Sequence, residues 1–304
     1  MPPSTRSSRK RSPERPAVTV TDSWRFEAIG TAWEIETPEP LSAEIRDAVG
    51  VDIEAYDRAW SRFRADSLVS RIGREAGTWT LPAEAGALLE LYRVLYDATD
   101  GRMSPLVARS LERLGYGPGL ALRPSGAPIP APAWNDAIAW DGAQLQAPRP
   151  VTLDVGAAGK GQLVDLVHDR LASFGVVAAL VDASGDLRRS GPGTIRIGLE
   201  HPGDPTRVVG VVELGTGALC ASAINRRAWG EGLHHVLEAT TGMSISRVSA
   251  TWVVADTAMV ADGVATALFL TEPERIPSAL GFEFARIIGG RIECSSGFPG
   301  EVFA

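Results

Sequence analysis

Asp262 is the residue whose type and surroundings most directly suggest chemistry. It is the only charged residue in the apolar run 258–269, and Thr266 follows it by four positions. Residues four apart lie on one face of a helix, and a carboxylate beside a hydroxyl provides the oxygen ligands that Mg²⁺ prefers. The alternative is that Asp262 caps a helix that begins there, with the apolar run divided between a strand and a helix. Both interpretations are open from these residues alone.

A glycine-rich turn within residues 151–165 is a second candidate site. Small residues before a helix let the backbone approach a ligand, and the helix N-terminus offers N–H groups to an anion. The turn is not a Walker A loop, because Asp154 and Gly161 stand where that motif needs Gly and Ser or Thr, and it does not fit the dinucleotide fingerprint. Lys160 is one of two lysines in a chain that otherwise uses Arg, which suggests a point charge for phosphate. A tight turn with a solvated lysine is the alternative.

His234 and His235 make up half of the four histidines and lie in a predicted strand. Alternation along a strand would place their side chains on opposite faces, so they are not expected to share a metal. One of them can act in catalysis, and a purely structural role is the alternative.

These residues need a scaffold, and hydrophobic periodicity predicts four helices and a series of strands. The helices are predicted at 42–63, where Ser42 makes a plausible start, and at 83–98, 161–174 and 258–269. The strands are predicted at 24–35, 151–155, 176–181, 194–200, 208–214, 218–222, 234–237, 251–254, 284–288 and 291–294, with a short hairpin at 137–145. The order strand, turn, helix, strand over 151–181 indicates a crossover unit. We therefore predict a single α+β domain with mixed sheets over residues 21–304.

The composition is ordinary for a globular protein, with 44% apolar and 22% charged residues. Residues 1–18 contain five basic residues and one acidic residue, so the rest of the chain carries a net charge of −11. An acidic body argues against binding nucleic acid through its phosphates. We expect a disordered basic tail at 1–20 and no nucleic-acid partner.

Other classes are also disfavoured by the sequence. No run reaches the ~20 apolar residues of a membrane span, and no apolar segment follows the basic start as it would in a secretory signal. Cys220 and Cys294 are the only cysteines, so neither a disulfide framework nor a thiolate zinc site is implied. We expect no membrane insertion and a cytoplasmic location.

Several segments, in this order along the chain, resemble the FAD:protein FMN transferase (ApbE) family. No single segment is decisive, but the ordered combination, from about residue 24 to residue 300, is specific. The segments are Ile29-Gly30-Thr31 (Met-Gly-Thr in the family), 61–72 (Ser-x-aromatic, then Asp-Ser-x-x-Ser), 153–165 (Asp-hydrophobic-Gly-x-x-x-Lys-Gly), 182–188 (Gly-Gly-Asp-hydrophobic-Arg in the family), 197–202, the double histidine, and 261–266 (Ala-Asp-x-x-Ala-Thr).

The resemblance implies a single α+β domain, related to T-folds, with FAD in a cleft. The implied activity is Mg²⁺-dependent transfer of FMN from FAD to a Thr or Ser of a target protein, with release of AMP. His235 and Asp262 would be catalytic. The implied Mg²⁺ ligands are Asp262, Thr266 and main-chain oxygens near Ala157 and Ala265. The implied FAD contacts are Ile29, Phe63, Arg102, Met103, Ser104, Asp154 and Lys160.

This sequence departs from the family pattern around the nucleotide and acceptor sides. The family has Gly-Ala-Phe-Asp-Pro-Thr where this chain has residues 101–106, so that Ser104 and Leu106 replace an acid and a hydroxyl. Glu238-Ala239 replace Asp-Pro after the histidines, and residues 221–223 read Ala-Ser-Ala for Thr-Ser-Gly. Two further functions therefore stay open: a FAD pyrophosphohydrolase that gives FMN and AMP, and a flavin carrier without catalysis.

Overall fold

The computed structural model describes residues 22–303, so the predicted tail at 1–20 lies outside the described residues. The α-helices are Ala43–Trp60 (α1), Leu68–Ile72 (α2), Ala85–Ala98 (α3), Ala108–Arg113 (α4), Trp134–Ala137 (α5), Gly159–Ser173 (α6) and Ala258–Ala267 (α7). The strands are Asp22–Ala28 (β1), Thr31–Thr37 (β2), Gly77–Thr80 (β3), Ala139–Trp140 (β4), Gln144–Ala147 (β5), Ala179–Asp182 (β6), Asp186–Ser190 (β7), Ile195–His201 (β8), Asp204–Leu214 (β9), Gly217–Ala223 (β10), Ala228–Trp229 (β11), Leu233–His234 (β12), Leu237–Glu238 (β13), Met243–Ser244 (β14), Val248–Ala255 (β15), Phe282–Ile288 (β16), Arg291–Cys294 (β17) and Gly300–Val302 (β18).

One sheet of eight strands organises the molecule, in the order β1-β2-β6-β7-β10-β15-β16-β17. The predicted α+β class in a single domain is confirmed. Within the described residues every strand pair is antiparallel, so the sheets are not mixed as expected. The parallel crossover predicted over 151–181 is therefore wrong.

Residues 151–155 explain that error, because they are buried and extended but form no strand. The Val151 N–H donates to the carbonyl of Ile72 and the Asp154 N–H to that of Pro105, at 3.1 and 2.8 Å. Both acceptors lie outside any strand, so this segment has no ladder partner. It leads directly into α6, and the chain then returns to the sheet at β6, between β2 and β7.

The strand predicted over 24–35 is a hairpin of two strands instead. Its turn is Ile29-Gly30, with φ angles of 47° and 73°. Two successive left-handed residues match the twist of a two-residue hairpin. Gly30 adopts this conformation freely, whereas a β-branched residue such as Ile29 is strained by roughly 1–3 kcal/mol. The turn therefore places a strained residue at the end of the hairpin.

The central sheet is covered on both faces. Helices α6 and α7 pack on one face, with α1 and α3 behind them. The three-stranded sheet β18-β9-β8 covers the other face. Because side chains alternate along a strand, Ala218 and Cys220 of β10 join the helix-side core while Leu219 joins the core between the two sheets.

Helix α1 shows how the sequence determines these elements. The Ser42 hydroxyl caps it by accepting from the Ile45 N–H at 3.3 Å, and its apolar residues at helical spacing, Val49, Ile53, Tyr56 and Trp60, are buried. The opposite face is polar.

Among residues 22–303, no helix combines the length and apolar character that crossing a membrane requires. The cytoplasmic location stays a prediction.

Candidate functional site

A cleft with a cavity volume of about 410 Å³ opens where α7, the 154–160 turn, the β1–β2 and β6–β7 hairpin turns and the loop after β10 meet. Most residues predicted for the site lie in its lining: Met103, Ser104, Asp154, Ala157, Lys160, His235, Asp262 and Thr266. Ile29, Phe63, Arg102 and Ala265 lie next to lining residues without belonging to the lining themselves. The structure thus brings four distant parts of the sequence to one cavity.

Asp262 lies inside α7 and not at its start. The helix begins at Ala258, and its N-cap is Thr257, whose hydroxyl accepts from the Val260 N–H at 3.3 Å. The interpretation of Asp262 as a helix cap is therefore wrong. Its side chain is buried and faces the cleft together with that of Thr266, one turn further on.

Gly161 brings the α6 backbone against Asp262. Its N–H donates to Asp262 Oδ2 at 3.0 Å. A Cβ on residue 161 would lie 2.2 Å from the Ala258 carbonyl oxygen and 2.8 Å from Asp262 Cβ, so only glycine allows the two helices to come this close. Close packing of the two helices thus explains why a glycine follows Lys160.

A carboxylate of α6, that of Asp165, holds the first turn of α7. Asp165 accepts the N–H groups of Ala258 and Met259, both at 2.8 Å. Arg188 of β7 donates to the same carboxylate at 2.6 Å. The Asp165 side chain therefore anchors the helix that carries Asp262, and it has a structural role.

Lys160 is paired with protein groups. Its Nζ lies 2.5 Å from Asp186 Oδ2 and donates to the Ala183 carbonyl at 2.8 Å. Asp186 is 1% exposed, so this ion pair is buried on the carboxylate side. Contact between Lys160 and a phosphate stays a prediction.

The same charges act on Asp262. Burial raises the pKa of the Asp262 carboxyl well above its ordinary value, and the neighbouring Asp186 charge raises it further. Lys160 and the Gly161 N–H oppose this effect. A buried carboxyl that is pushed towards protonation would be held ionised by an added cation.

Asp154 is the ionised carboxylate of the turn. It accepts from Arg62 Nε at 2.5 Å and from the Gly156 N–H at 2.7 Å. Burial works against its ionisation, but the Arg62 charge and these hydrogen bonds outweigh burial and lower the pKa. Arg62 itself is buried, and its guanidinium lies 4.3 Å from the ring centroid of Phe63.

Phe63 belongs to an aromatic group at one end of the cleft. Its ring contacts Tyr116 edge to face, with 5.6 Å between centroids, and Tyr116 stacks on Trp229 at 5.2 Å. Tyr116 lines the cleft, while Phe63 is 41% exposed beside it. Such faces suit a planar ring system.

In the 102–104 segment, two residues line the cleft and the third bonds to the neighbouring backbone. Met103 and Ser104 line the cavity, and the Ser104 hydroxyl accepts from the Leu106 N–H at 3.2 Å. The Arg102 side chain turns away, with its Nε donating to the Thr99 carbonyl at 2.9 Å. Its carbonyl accepts from the Ala239 N–H at 2.8 Å, which ties together two segments that differ from the family pattern.

The two histidines have different surroundings, as expected, but the strand predicted at 234–237 is wrong, because His235 lies between β12 and β13. His234 Nε2 lies 2.6 Å from the Ile245 carbonyl and its Nδ1 accepts from the Val236 N–H, so its ring is used structurally. His235 faces the cleft, and its buried Nδ1 has no hydrogen-bond partner in the described part of the chain. Burial, with the charge of Arg227 and the neighbouring His234, lowers the pKa of His235 to about 3. Its imidazole is therefore neutral at pH 7, and one ring nitrogen has a free electron pair.

A metal at this site would depend on few ligands. Within residues 22–303 no group of three or more His, Cys, Asp or Glu side chains could hold an ion. However, the Ala157 carbonyl accepts no hydrogen bond from any described residue, because the Gly161 N–H donates to Asp262 instead. The Ala265 carbonyl accepts from the buried Thr251 hydroxyl at 2.8 Å. One carboxylate, one hydroxyl and one unpaired carbonyl fit a hard cation that keeps some of its water.

Sequence reasoning missed several lining residues. Tyr116, Arg226 and Arg227 were not predicted, and Asp186 was noted only as part of a motif. Two adjacent arginines just after a predicted strand, in an acidic chain, were the available signal for the arginines. The lining also includes the hairpin-turn residues Gly30, Thr31, Ser184 and Gly185.

Comparison with known proteins gives consistent results. The model of the ApbE family matches residues 29–285. A protein named FAD:protein FMN transferase from Rhodobacter capsulatus is 28% identical over 281 residues, covering 86% of this chain and 53% of that protein. This chain thus spans about half the length of that relative. A second protein of the same name, from Vibrio cholerae, is 27% identical over 242 residues, covering 73% of this chain and 72% of that protein.

Solved structures share the fold. The flavin transferase ApbE from Vibrio cholerae superimposes with a TM-score of 0.75 at 22% identity, covering 91% of this chain and 97% of that chain. The ApbE protein from Thermotoga maritima gives a TM-score of 0.77 at 23% identity, covering 92% and 99%.

Proposed function

The chain belongs to the ApbE family, and we propose that it transfers the FMN part of FAD to a hydroxyl group of an acceptor protein. The observation that supports this most is that the buried carboxylate of Asp262, the hydroxyl of Thr266 and a neutral His235 line the same cleft. The curated relatives carry the name of this activity.

The reaction that we propose is a phosphoryl transfer. The hydroxyl oxygen of an acceptor Thr or Ser bonds to the FMN-side phosphorus of FAD. The bond from that phosphorus to the bridging oxygen breaks, and the bridging oxygen keeps the electron pair and leaves as part of AMP. The hydroxyl proton is released to a base. Such reactions depend mainly on positioning and on the compensation of charge.

Mg²⁺ would be held by the Asp262 carboxylate, the Thr266 hydroxyl and the Ala157 carbonyl, with Ala265 as a further main-chain ligand. When bound, it would supply Lewis acidity that offsets the negative charge of the diphosphate. Three observations support this set: the raised pKa of Asp262, the unpaired carbonyl of Ala157 and the oxygen-only donors. Asp262 would be catalytic through this contact.

His235 would accept the proton of the acceptor hydroxyl. Its position in the lining of the cleft and its unpartnered Nδ1 support this role. General bases typically contribute ~10²–10⁴-fold to a rate. Asp154, Lys160, Met103 and Ser104 would contact FAD from the lining, and Ile29, Phe63 and Arg102 would do so from beside it.

Incubation with FAD and Mg²⁺, with and without a candidate acceptor protein, tests the proposal. Flavin fluorescence that stays on the denatured acceptor, together with an equal amount of AMP, supports transfer. AMP and FMN without acceptor would identify a hydrolase, and FAD binding with neither product would identify a carrier. Asp262→Asn is the matched control, because it keeps the shape of the side chain and removes its charge.

A further inference from the structure

Three cationic side chains line the cleft, and they differ in what they already bind. Lys160 is paired with Asp186 and the Ala183 carbonyl. Arg226 forms an ion pair with Glu200 at 3.2 Å. The guanidinium of Arg227 makes no hydrogen bond or ion pair with any of the described residues, although it lines the same cavity. It is the cation whose charge is not already compensated by the protein.

The position of Arg227 in the backbone ties it to the catalytic side of the cleft. It is the last residue of the loop between β10 and β11, and its carbonyl accepts the His235 N–H at 3.2 Å. Arg227 and His235 are therefore held side by side by the main chain, whatever the arginine side chain does. The side chain is exposed towards the cavity.

The charge of Arg227 acts on two groups of the cleft. It disfavours protonation of His235 and of Asp154. Asp154 precedes α6 and His235 follows β12, so the guanidinium lies within electrostatic range of two separate segments of the site. Arg226, one residue earlier, is directed to Glu200 on β8.

The cleft and a bound dinucleotide together carry more negative charge than the paired cations compensate, and the unpaired guanidinium of Arg227 would reduce this excess. Asp154, Asp186 and Asp262 all line the cleft, and a dinucleotide diphosphate would add two more negative charges. Arg62 compensates Asp154 and Lys160 compensates Asp186. A guanidinium offers paired N–H donors that match phosphate oxygens, which a lysine ammonium does not.

We propose that Arg227 binds the diphosphate of the nucleotide substrate and compensates the charge that develops on the leaving phosphate. The proposal rests on the proposed function, because it takes FAD as the occupant of the cleft. As the phosphorus–oxygen bond breaks, its electron pair moves to the oxygen of AMP, next to the fixed positive charge. The charge of Lys160 is shared with Asp186 even where Lys160 contacts FAD, whereas the charge of Arg227 is available to the diphosphate.

Binding of ADP and adenosine to the full chain, measured by calorimetry without metal, tests the proposal. Arg227→Gln should weaken ADP binding about 10- to 100-fold, as expected for loss of a charge-assisted hydrogen bond, and leave adenosine binding unchanged. Arg227→Lys should restore part of the loss. Arg226→Gln is the matched control and should weaken ADP binding by less than about fivefold, as for an exposed ion pair.

A second measurement is independent of turnover. Arg227→Gln should raise the pKa of His235 in NMR titrations, because a positive charge beside the ring is lost, and Arg226→Gln should not. Equal ADP affinity in wild type and Arg227→Gln, with an unchanged His235 titration, overturns the inference even if FAD is cleaved. A wild type that binds ADP through Arg227 but never cleaves FAD instead overturns the proposed function.

Discussion

Asp262 and Gly161, 101 residues apart, are joined by one hydrogen bond of 3.0 Å from the glycine N–H to the carboxylate. This contact fixes the crossing of α6 and α7 and leaves the Ala157 carbonyl without its helical donor. A structural requirement of the helix pair thereby creates an unpaired oxygen beside a buried carboxylate.

Replacing Gly161 tests that relationship. Gly161→Ala should destabilise the protein by about 1–3 kcal/mol, because its Cβ would collide with the Ala258 carbonyl and Asp262. Gly50→Ala is the control: it lies in α1, where a Cβ meets nothing within 4 Å, and should stabilise by about 0.5–1 kcal/mol. Urea unfolding measures both. Equal stability of the two variants would contradict the close helix crossing.

Asp262→Asn should abolish FAD cleavage without destabilising the metal-free protein. The variant removes a buried charge and keeps the shape, so its melting temperature should equal or exceed that of wild type. Mg²⁺ should stabilise wild type, by about 2.7 kcal/mol at 100 times its Kd, and should not stabilise the variant. Thr266→Val should weaken the Mg²⁺ response less.

The pH dependence gives a second check on Asp262. Because the folded protein raises its pKa, the metal-free wild type should lose stability as pH rises above about 3.9, the ordinary carboxyl value. Asp262→Asn should lack this contribution. Identical Mg²⁺ and pH responses in variant and wild type would remove the metal site from the proposed function.

His235→Ala should slow FAD cleavage by ~10²–10⁴-fold while FAD still binds. His234→Ala should mainly lower stability, because that ring bonds to the Ile245 carbonyl. With its pKa lowered to about 3, folded His235 stays neutral where an unfolded histidine is protonated. Its contribution to stability should therefore decline as pH falls from about 6.5 towards 3. Equal turnover in the two alanine variants would contradict the assignment.

Lys160→Met should destabilise the protein by about 3–5 kcal/mol, because it leaves the buried carboxylate of Asp186 unpaired. The double variant Lys160→Met/Asp186→Asn should recover much of that loss, since both charges are gone. Chemical unfolding of wild type, Lys160→Met, Asp186→Asn and the double variant gives the coupling energy between the two side chains. If the effects of the single variants simply add, the pair is not a structural ion pair.

Elements with a local signal were predictable from the sequence. The capped, periodic α1 formed as predicted, but the apolar run 151–155 did not form a strand. Alternating apolar residues report burial, and Val151, Leu153 and Val155 are buried without a partner strand. The hairpin turn at residues 29–30 was missed because a two-residue turn preserves the alternation on both sides of it.

The candidate site was predictable where its residues lie in a family motif, as for Asp154, His235 and Asp262. Arg227 could not be found in this way. The role that we propose for it depends on which other cations are already paired, and Arg226 and Lys160 acquire their partners only in the folded structure. Such pairing has no local sequence pattern.

The cleft has a further consequence for folding. Its lining extends from Gly30 to Leu270, and the helix that completes it lies near the C-terminal end of that range. Contacts between residues so far apart close large loops and form late. During synthesis the complete lining cannot assemble before α7 emerges, and nucleotide binding can therefore report that the chain has folded as far as α7.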